Sequence, residues 1–342
     1  SLCYARLRTF FVVEPPYLSY SRYLRQRHGC SVYRVAVDAG FSCPNRKDGR
    51  SSTGCSYCAV EGSRAPYLDA RGACVPGCDA RGTTPGSKES LSIQVSRGIS
   101  FLTKRYSAKA FILFFQPYSN TNAPVAELER IYETGLSLAP FCGLNVATRP
   151  DCLDEEKARL LASYRKRGLE VWVELGLQTA NDETLRRIRR GHSFRDFVHA
   201  MDISKHNGLK VGVHLIFGLP GEDWDDIMRT AELVGALAPD GVKIHNLLIP
   251  RGTLLARELL AGEVTTPGPS RYLEYTLAAI ERLPEETVIM RITCDALPAD
   301  VVSPRAFWSK PDFTARLIAE MKARGARQGR LFPAREASWG LP

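Results

Sequence analysis

The sequence predicts an α/β protein: six strand–helix units around a parallel sheet, forming an open or partial barrel, with short extensions at both ends. Three observations predict it. Short β-branched runs alternate with helical patterns from Val32 onward, and strands separated by helices pair in parallel. Of 342 residues, 44% are apolar and 24% charged, an ordinary globular composition that excludes disorder, collagen and coiled coil. Each candidate strand has one apolar parity and one with polar members, as a sheet curved around a polar cavity requires.

Taken in order, strands are expected at 32–38, 110–116, 143–148, 170–178, 210–217 and 241–248. Helices are expected at 88–104, 125–138, 154–167, 182–190 with 194–207, and 223–237. Val125, Leu128, Tyr132 and Leu136 keep the i, i+3, i+7, i+11 spacing of an amphipathic helix. Residues 262–269 hold Gly262, Pro267, Gly268 and Pro269 and read as a connector. A helix (271–282), a strand (287–293) and a last helix (312–324) follow. The expected division is an N-terminal extension (1–31), the barrel (32–262) and a C-terminal helical and strand extension (263–342). The chain opens on Ser1 rather than Met, consistent with a trimmed or engineered start, so little weight rests on its first residues.

Side chains alternate faces along a strand. Val171, Val173, Leu175 and Leu177 therefore oppose Glu174 and Gln178, and Val242 and Ile244 oppose Lys243 and His245. Val211, Val213, Leu215 and Phe217 oppose Gly212, His214 and Ile216. The first strand puts Arg34 and Asp38 on one face, the second ends at Gln116, and the third ends near Arg149. The polar members gather toward the strand C-termini, where sites of α/β folds lie. His214 and His245 read as satisfied lining histidines rather than ligands.

Lys and Arg number 46 and Asp and Glu 37, a net charge of +9 that favours a polyanionic partner. No run approaches the roughly 18–20 apolar residues of a membrane span, so no membrane partner is expected. Ten cysteines are present, five of them within 43–78. Such clustering without a signal peptide points to metal or cluster binding in a reducing, cytoplasmic compartment rather than to disulfides.

The sharpest motif is Cys43-Pro44-Asn45-Arg46 followed by Gly54-Cys55-Ser56-Tyr57-Cys58, directly after the first strand. Three thiolates can hold three irons of a [4Fe–4S] cluster and leave the fourth open to a ligand. Gly40, Gly49 and Gly54 let backbone amides approach cluster sulfurs. A rival pattern joins Cys55 and Cys58 to Cys74 and Cys78 as a structural zinc site in a non-enzymatic nucleic-acid-binding module. It leaves Cys43 and the polar cavity unexplained.

The Cys-x11-Cys-x2-Cys loop resembles that of radical S-adenosylmethionine (SAM) enzymes of the YhcC/YtqA-like group, which have a longer first gap than the usual Cys-x3-Cys-x2-Cys. Further stretches resemble group motifs in order: residues 40–46 (GFSCPNR), 147–152 (ATRPDC), 174–179 (ELGLQT), 189–192 (RRGH) and 218–222 (GLPGE). The resemblance covers roughly 22–293. It implies a partial (β/α)6 barrel of the radical SAM type, one [4Fe–4S] cluster on Cys43, Cys55 and Cys58, and SAM cleaved reductively to a 5′-deoxyadenosyl radical. It further implies that Tyr57 lies near adenine, that Arg190 pairs with the methionine carboxylate, and that Gly218 and Leu219 offer backbone contacts to adenine. Glu174 is expected to accept from ribose hydroxyls or the methionine ammonium, with Gln178 beside it. Where the family has Gly-Gly-Glu after the second strand, this chain has Gln116-Pro117-Tyr118-Ser119-Asn120-Thr121.

YtqA-like members of the group are associated with the wobble uridine of tRNA, converting a carboxymethylaminomethyl group to aminomethyl, whereas YhcC-like members have no settled substrate. The resemblance thus implies tRNA as partner and an electron donor such as flavodoxin or ferredoxin. A radical SAM enzyme acting on a small molecule is the alternative. Arg22, Arg25, Arg27, Arg34 and the basic stretch 322–335 are the expected RNA contacts. Cys152, after the third strand, is the candidate hydrogen-atom donor, with a structural thiol as its other reading. In the run of Arg186, Arg187, Arg189 and Arg190, only Arg190 has a motif context.

Overall fold

The computed structural model describes residues 14–46, 54–59, 67, 90–294 and 299–333. One sheet holds seven parallel strands in the order β1 (Val32–Val37), β2 (Ala110–Phe115), β3 (Phe141–Thr148), β4 (Glu170–Gln178), β5 (Lys210–Phe217), β6 (Gly241–Asn246) and β8 (Val288–Arg291). β7 (Ile249–Pro250) and β9 (Val301–Ser303) form a separate antiparallel pair. The connecting helices are α2 (Leu91–Tyr106), α3 (Val125–Leu136), α4 (Glu155–Ser163), α5 (Asp182–Arg187) with α6 (Phe194–His206), α7 (Trp224–Ala236), α8 (Leu254–Leu260), α9 (Pro269–Glu281) and α10 (Lys310–Ala323). Among the described residues no helix is long and apolar enough to cross a membrane.

The parity argument holds strand by strand. Val35, Val37, Leu113, Phe115, Val173, Leu175, Val213, Leu215, Val242 and Ile244 are buried on the outer face beneath the helices. The opposite parity carries Arg34, Asn145, Glu174, His214 and Lys243. The sheet is curled into a half-barrel. Arg34 on β1 lies 3.0 Å from Glu174 on β4, three strands away in pairing order. In a flat sheet three strand spacings would separate them by about 14 Å.

Two features differ from the sequence reading. The strand expected at 287–293, within the C-terminal extension, joins the sheet as its seventh member: β8 pairs with β6, and α9 is the crossover helix. A helix also precedes β1. It is α1 (Tyr20–His28), capped by Ser19 and ended by Gly29 in the left-handed region (φ +69°). Ile289 N donates to Leu18 O at 2.8 Å, and α1 packs on both β1 and β8, so it spans the seam that the open barrel leaves. Tyr20, Leu24, Val32, Ile112, Trp172, Val288 and Met290 make an apolar floor there. Only Tyr20 and Leu24 of α1 are buried, which is why no helical stripe was visible in the sequence.

Gly143 sits where β3 and β4 approach most closely. An added Cβ would lie 2.7 Å from Glu170 O and 3.1 Å from Ile112 Cγ1. Gly143→Ala should therefore destabilise the protein by about 1–3 kcal/mol, as overpacking in a rigid sheet does. Urea unfolding checks this; unchanged stability would mean that the sheet yields at this point.

Candidate functional site

The loop after β1 begins with a turn in which Gly40 N donates to Asp38 Oδ1 at 2.9 Å. It then presents Cys43, and Arg46 N returns to Cys43 O at 3.0 Å. The second half is pinned from two sides. Ser56 N donates to Ile188 O (2.9 Å), and Leu255 N donates to Ser56 O (3.0 Å). Cys58 N closes a turn on Cys55 O at 2.9 Å. The three cysteines expected to bind iron are thus held on one loop over the C-terminal ends of the strands. Among the described residues no three His, Cys, Asp or Glu side chains converge on a single ion. Cys74 and Cys78 lie outside the described residues.

Cationic and amide donors converge on these sulfurs. Asn45 Nδ2 donates to Cys55 Sγ (3.3 Å) and to Arg189 O (2.6 Å). Arg46, buried, donates to Cys58 Sγ (3.1 Å) and Ala59 O (2.6 Å), with its guanidinium 4.9 Å over the Tyr118 ring. Arg190 Nη1 approaches Cys55 Sγ at 3.5 Å, and Nη2 donates to Gly176 O at 2.6 Å. Its Nε is buried and has no partner among the described residues. Burial pushes the Cys55 thiol up. The charges of Arg190 and Arg149, with hydrogen bonds from Arg190 and Asn45, outweigh it, so Cys55 ends below the ordinary thiol range. At Cys58 burial outweighs Arg46, and the thiol sits above that range.

The local fold explains how Arg190 reaches this point. The helix expected over 182–190 stops at Arg187, and Arg189 takes a positive φ of 53°. That reversal turns Arg190 inward instead of leaving it on a solvated helix face. Two glycines make room. A Cβ on Gly176 would lie 2.7 Å from Arg190 Nη2, and one on Gly191 (φ +74°) would lie 2.9 Å from Asn45 Oδ1. His192 Nε2 donates to the same Gly176 carbonyl at 3.1 Å. Burial and the neighbouring arginines lower its pKa to about 4 and keep it neutral. Arg149 braces the turn, with Nη1 to Arg190 O (2.6 Å) and Nε to Asp151 (2.9 Å).

The remaining candidates distribute as follows. Gln116 follows β2 at the strand end, and Gln178 closes β4 at a bulge with φ +83°. The turn after Gln116 is stitched to the cysteine loop, since Ser119 N donates to Ser42 O (3.3 Å) and Asn122 Nδ2 to Ser42 Oγ (3.3 Å). Tyr118 there has φ +65°, a strained value for a tyrosine. Tyr57 packs on the apolar group of Leu219, Leu247 and Leu255, and burial raises its phenol well above the usual range. Gly218 (φ +88°) and Leu219 line a cavity of about 450 Å³ with Pro267 and Tyr275. Cys152 is buried in a 3-10 turn (Pro150–Cys152); burial pushes its thiol up to about 11, so it keeps its hydrogen.

Three expectations need correction. Glu174 lies in the barrel interior as parity required, but it does not present a free carboxylate. Oε1 accepts from Arg34 (3.0 Å) and Asn145 (3.1 Å), and Oε2 from His214 (2.9 Å) and Lys243. Four donors fill the acceptor sites that a cofactor would need. Arg34, expected on RNA, is inside the barrel holding Glu174. Much of the basic C-terminal stretch is balanced by acids: Arg324 pairs with Glu274 and Glu320, Arg327 with Glu285, and Arg330 with Glu281. Asn45 and Arg46 were legible only as motif letters; what identifies them is their contact with sulfur.

The profile of the Radical SAM superfamily matches residues 49–234, and that of the Radical_SAM C-terminal domain matches 239–323. Protein YhcC of Escherichia coli (strain K12) is 34% identical over 315 residues, 90% of this chain and 94% of that one. The tRNA uridine(34) acetyltransferase of Methanocaldococcus jannaschii is 34% identical over 163 residues, 46% of this chain and 29% of its own. Among solved structures, archaeal Methanocaldococcus infernus Elp3 superposes with a TM-score of 0.62 at 22% identity, covering 70% of this chain and 60% of that one. That likeness concerns the fold.

Glu222 ends the 218–222 motif and takes a hydrogen bond from Thr179. Burial, with the charges of Asp226 and Asp223, raises its carboxyl to about 7 against 4.5 unfolded. A folded value above the unfolded one means that this group favours the fold below about pH 4.5 and that the benefit is lost as pH rises through 7. Glu222→Gln should therefore stabilise the protein by roughly 1–3 kcal/mol at pH 8 and by much less near pH 5. Urea unfolding at both values checks the difference; an equal effect at both contradicts it.

Proposed function

Because the chain belongs to the radical SAM superfamily, whose enzymes use a [4Fe–4S] cluster and SAM, we propose that Cys43, Cys55 and Cys58 hold that cluster and that the substrate is a wobble uridine of tRNA. One observation carries the first half: Asn45, Arg46 and Arg190 are aimed at Cys55 and Cys58 sulfurs, and the buried Arg190 Nε still lacks a partner. A buried Nε–H without a partner is costly unless an acceptor fills that position. A cluster sulfide or the SAM carboxylate would do so, and the donors then offset the negative charge of the thiolates.

When bound, the cluster and SAM supply reductive cleavage of SAM to methionine and a hydrogen-abstracting 5′-deoxyadenosyl radical. The chain's own residues position the parts. Arg190 pairs with the methionine carboxylate, held in place by Gly176 O and braced by Arg149. The turn 116–121 takes the place of the family's Gly-Gly-Glu and receives the methionine ammonium on its oxygens, Gln116 among them. Tyr57, Leu219 and the Gly218 backbone cover the adenine, with Gln178 at its edge. Cys152 keeps its thiol proton and serves as a structural thiol. An electron donor of the flavodoxin or ferredoxin kind approaches the loop from outside.

The tRNA half is supported by the similarity to tRNA uridine(34) acetyltransferase and by the net charge of +9. The conversion is carboxymethylaminomethyl to aminomethyl: the N-bound methylene would give a hydrogen atom to the 5′-deoxyadenosyl radical and one electron to the electron carrier, and water would hydrolyse the resulting imine to the amine and glyoxylate; the base must be splayed out of its stack to enter the barrel.

Anaerobically reconstituted protein should be brown with about four irons and four sulfides per chain, and Cys55→Ala should lose most of both. Colourless protein with stoichiometric zinc would contradict this. Arg190→Ala should weaken SAM binding by about 1.5–3 kcal/mol in equilibrium dialysis, the range for a hydrogen bond to a charged group. Binding of tRNA should fall with salt with a log–log slope of several units. If tRNA neither binds with such a slope nor stimulates 5′-deoxyadenosine release, the small-molecule alternative replaces it.

A further inference from the structure

Below the cysteine loop the barrel holds a second cluster of charges that the site above does not use. It is centred on Glu174, which is fully buried. Arg34 and Lys243 both bond to it, from strands on opposite sides of β4. Asn145 and His214 complete its shell. The remaining groups that face this layer are Phe114, Tyr20 and His245, with the charge of Arg291 acting on His214, Lys243 and His245. Glu174 is the one carboxylate among the described residues in the layer; Glu170, at the floor, is taken by Tyr23, Trp172 and His28.

Two basic side chains share one carboxylate in a site screened from bulk water, so the second of them is held charged only when a further anion joins the pair. The layer is not sealed. The side chains of Arg34 and His214 keep 16% and 21% of their surface exposed, although Lys243 keeps 2%. Phe114 lies 5.0 Å from the Arg34 guanidinium and 4.7 Å from Lys243 Nζ, which aligns the two cations side by side but supplies only weak compensation. His245, one inward position nearer the mouth than Lys243, has a buried Nε2 with no partner. The next inward residues are small: Ala36, Ala147 and Gly176. Gly176 is also the carbonyl that holds Arg190. From the mouth inward the order is thus Gly176 beside Arg190, then the unpartnered His245 imidazole, then the two cations.

We propose that Arg34 and Lys243, held apart by Glu174, form with His245 the receptor for a carboxylate on the substrate. This rests on the preceding reading for the barrel as the place of reaction, and it names the substrate group bound there. A carboxylate there would accept from the unpartnered His245 Nε2 and from the two cations. Glu174 is a positioning residue: it fixes both cations so that neither folds back on the other. Lys243 fits this role, since burial and the nearby Arg34 hold its ammonium well below its ordinary range, and a bound carboxylate would restore the charge.

The test uses the enzyme loaded with cluster and SAM, and two probes: tRNA carrying carboxymethylaminomethyluridine, and the same tRNA carrying aminomethyluridine at the wobble position. The wild type should bind the first at least about tenfold more tightly, the value of one buried charged contact. Lys243→Met should reduce the preference to under about twofold and leave affinity for the aminomethyl tRNA in place, and Lys243→Arg should keep most of it. No preference in the wild type, or an intact preference in Lys243→Met, overturns the proposal and leaves the cluster a structural device. If neither tRNA binds, the tRNA reading has failed, and a second probe decides the carboxylate. N-methylglycine labelled at its carboxyl carbon should broaden in ¹³C spectra with wild type and stay sharp with Lys243→Met; a sharp line with both overturns the proposal. Should Lys243→Met not fold, Glu174→Gln combined with Lys243→Gln replaces it, with the same expected loss.

Discussion

The carboxylate of Glu174 is the interaction around which the barrel is organised. It sits at the middle of β4, the central strand of seven, and reaches side chains from β1, β3, β5 and β6. A flat sheet cannot bring Arg34 and Lys243 to one carboxylate, so the hydrogen bonds and the curl require each other. Buried charges of this kind add little net stability compared with an apolar core, and removing one partner is costly. Their contribution here is geometric. They set the radius of the curled sheet, keep its inner face polar, and leave the outer face to the aliphatic packing that holds the helices.

At the mouth the same logic works with sulfur in place of oxygen. Arg46 and Arg190 bring positive charge to the loop proposed to carry three thiolates, and each is fixed by a backbone carbonyl. The backbone yields to allow this. Arg189 and Tyr118 adopt positive φ, and Gly176 and Gly191 stand where a side chain would displace Arg190 or Asn45. Strain and small residues collect around the cysteines because the donors must approach from several elements at once. The floor differs: apolar side chains surround the buried Glu170, and α1 closes it.

How much of this was legible in the sequence follows from period and distance. The strands were, because burial on the outer face alternates with period two, and the bounds of β4 and β5 were read correctly from it. Cys43, Cys55 and Cys58 were visible as a spacing. The position of β8 was not, since a short strand carries no mark of which sheet edge it will join. α1 escaped because two buried residues in nine make no stripe. Arg34 was misread as an RNA contact, although parity had placed it inward; a charge count cannot tell an interior cation from a surface one. Glu174 was placed correctly and given the wrong partners, because its donors come from strands distant in sequence.

The central claim is that one loop holds a four-iron cluster with a single iron left for SAM. The most direct measurement is Mössbauer spectroscopy of ⁵⁷Fe-reconstituted protein before and after SAM is added. The account predicts that one iron of about four changes its isomer shift on addition, while the three held by Cys43, Cys55 and Cys58 keep theirs. A spectrum that SAM leaves unchanged, or one in which all irons are equivalent throughout, would contradict it.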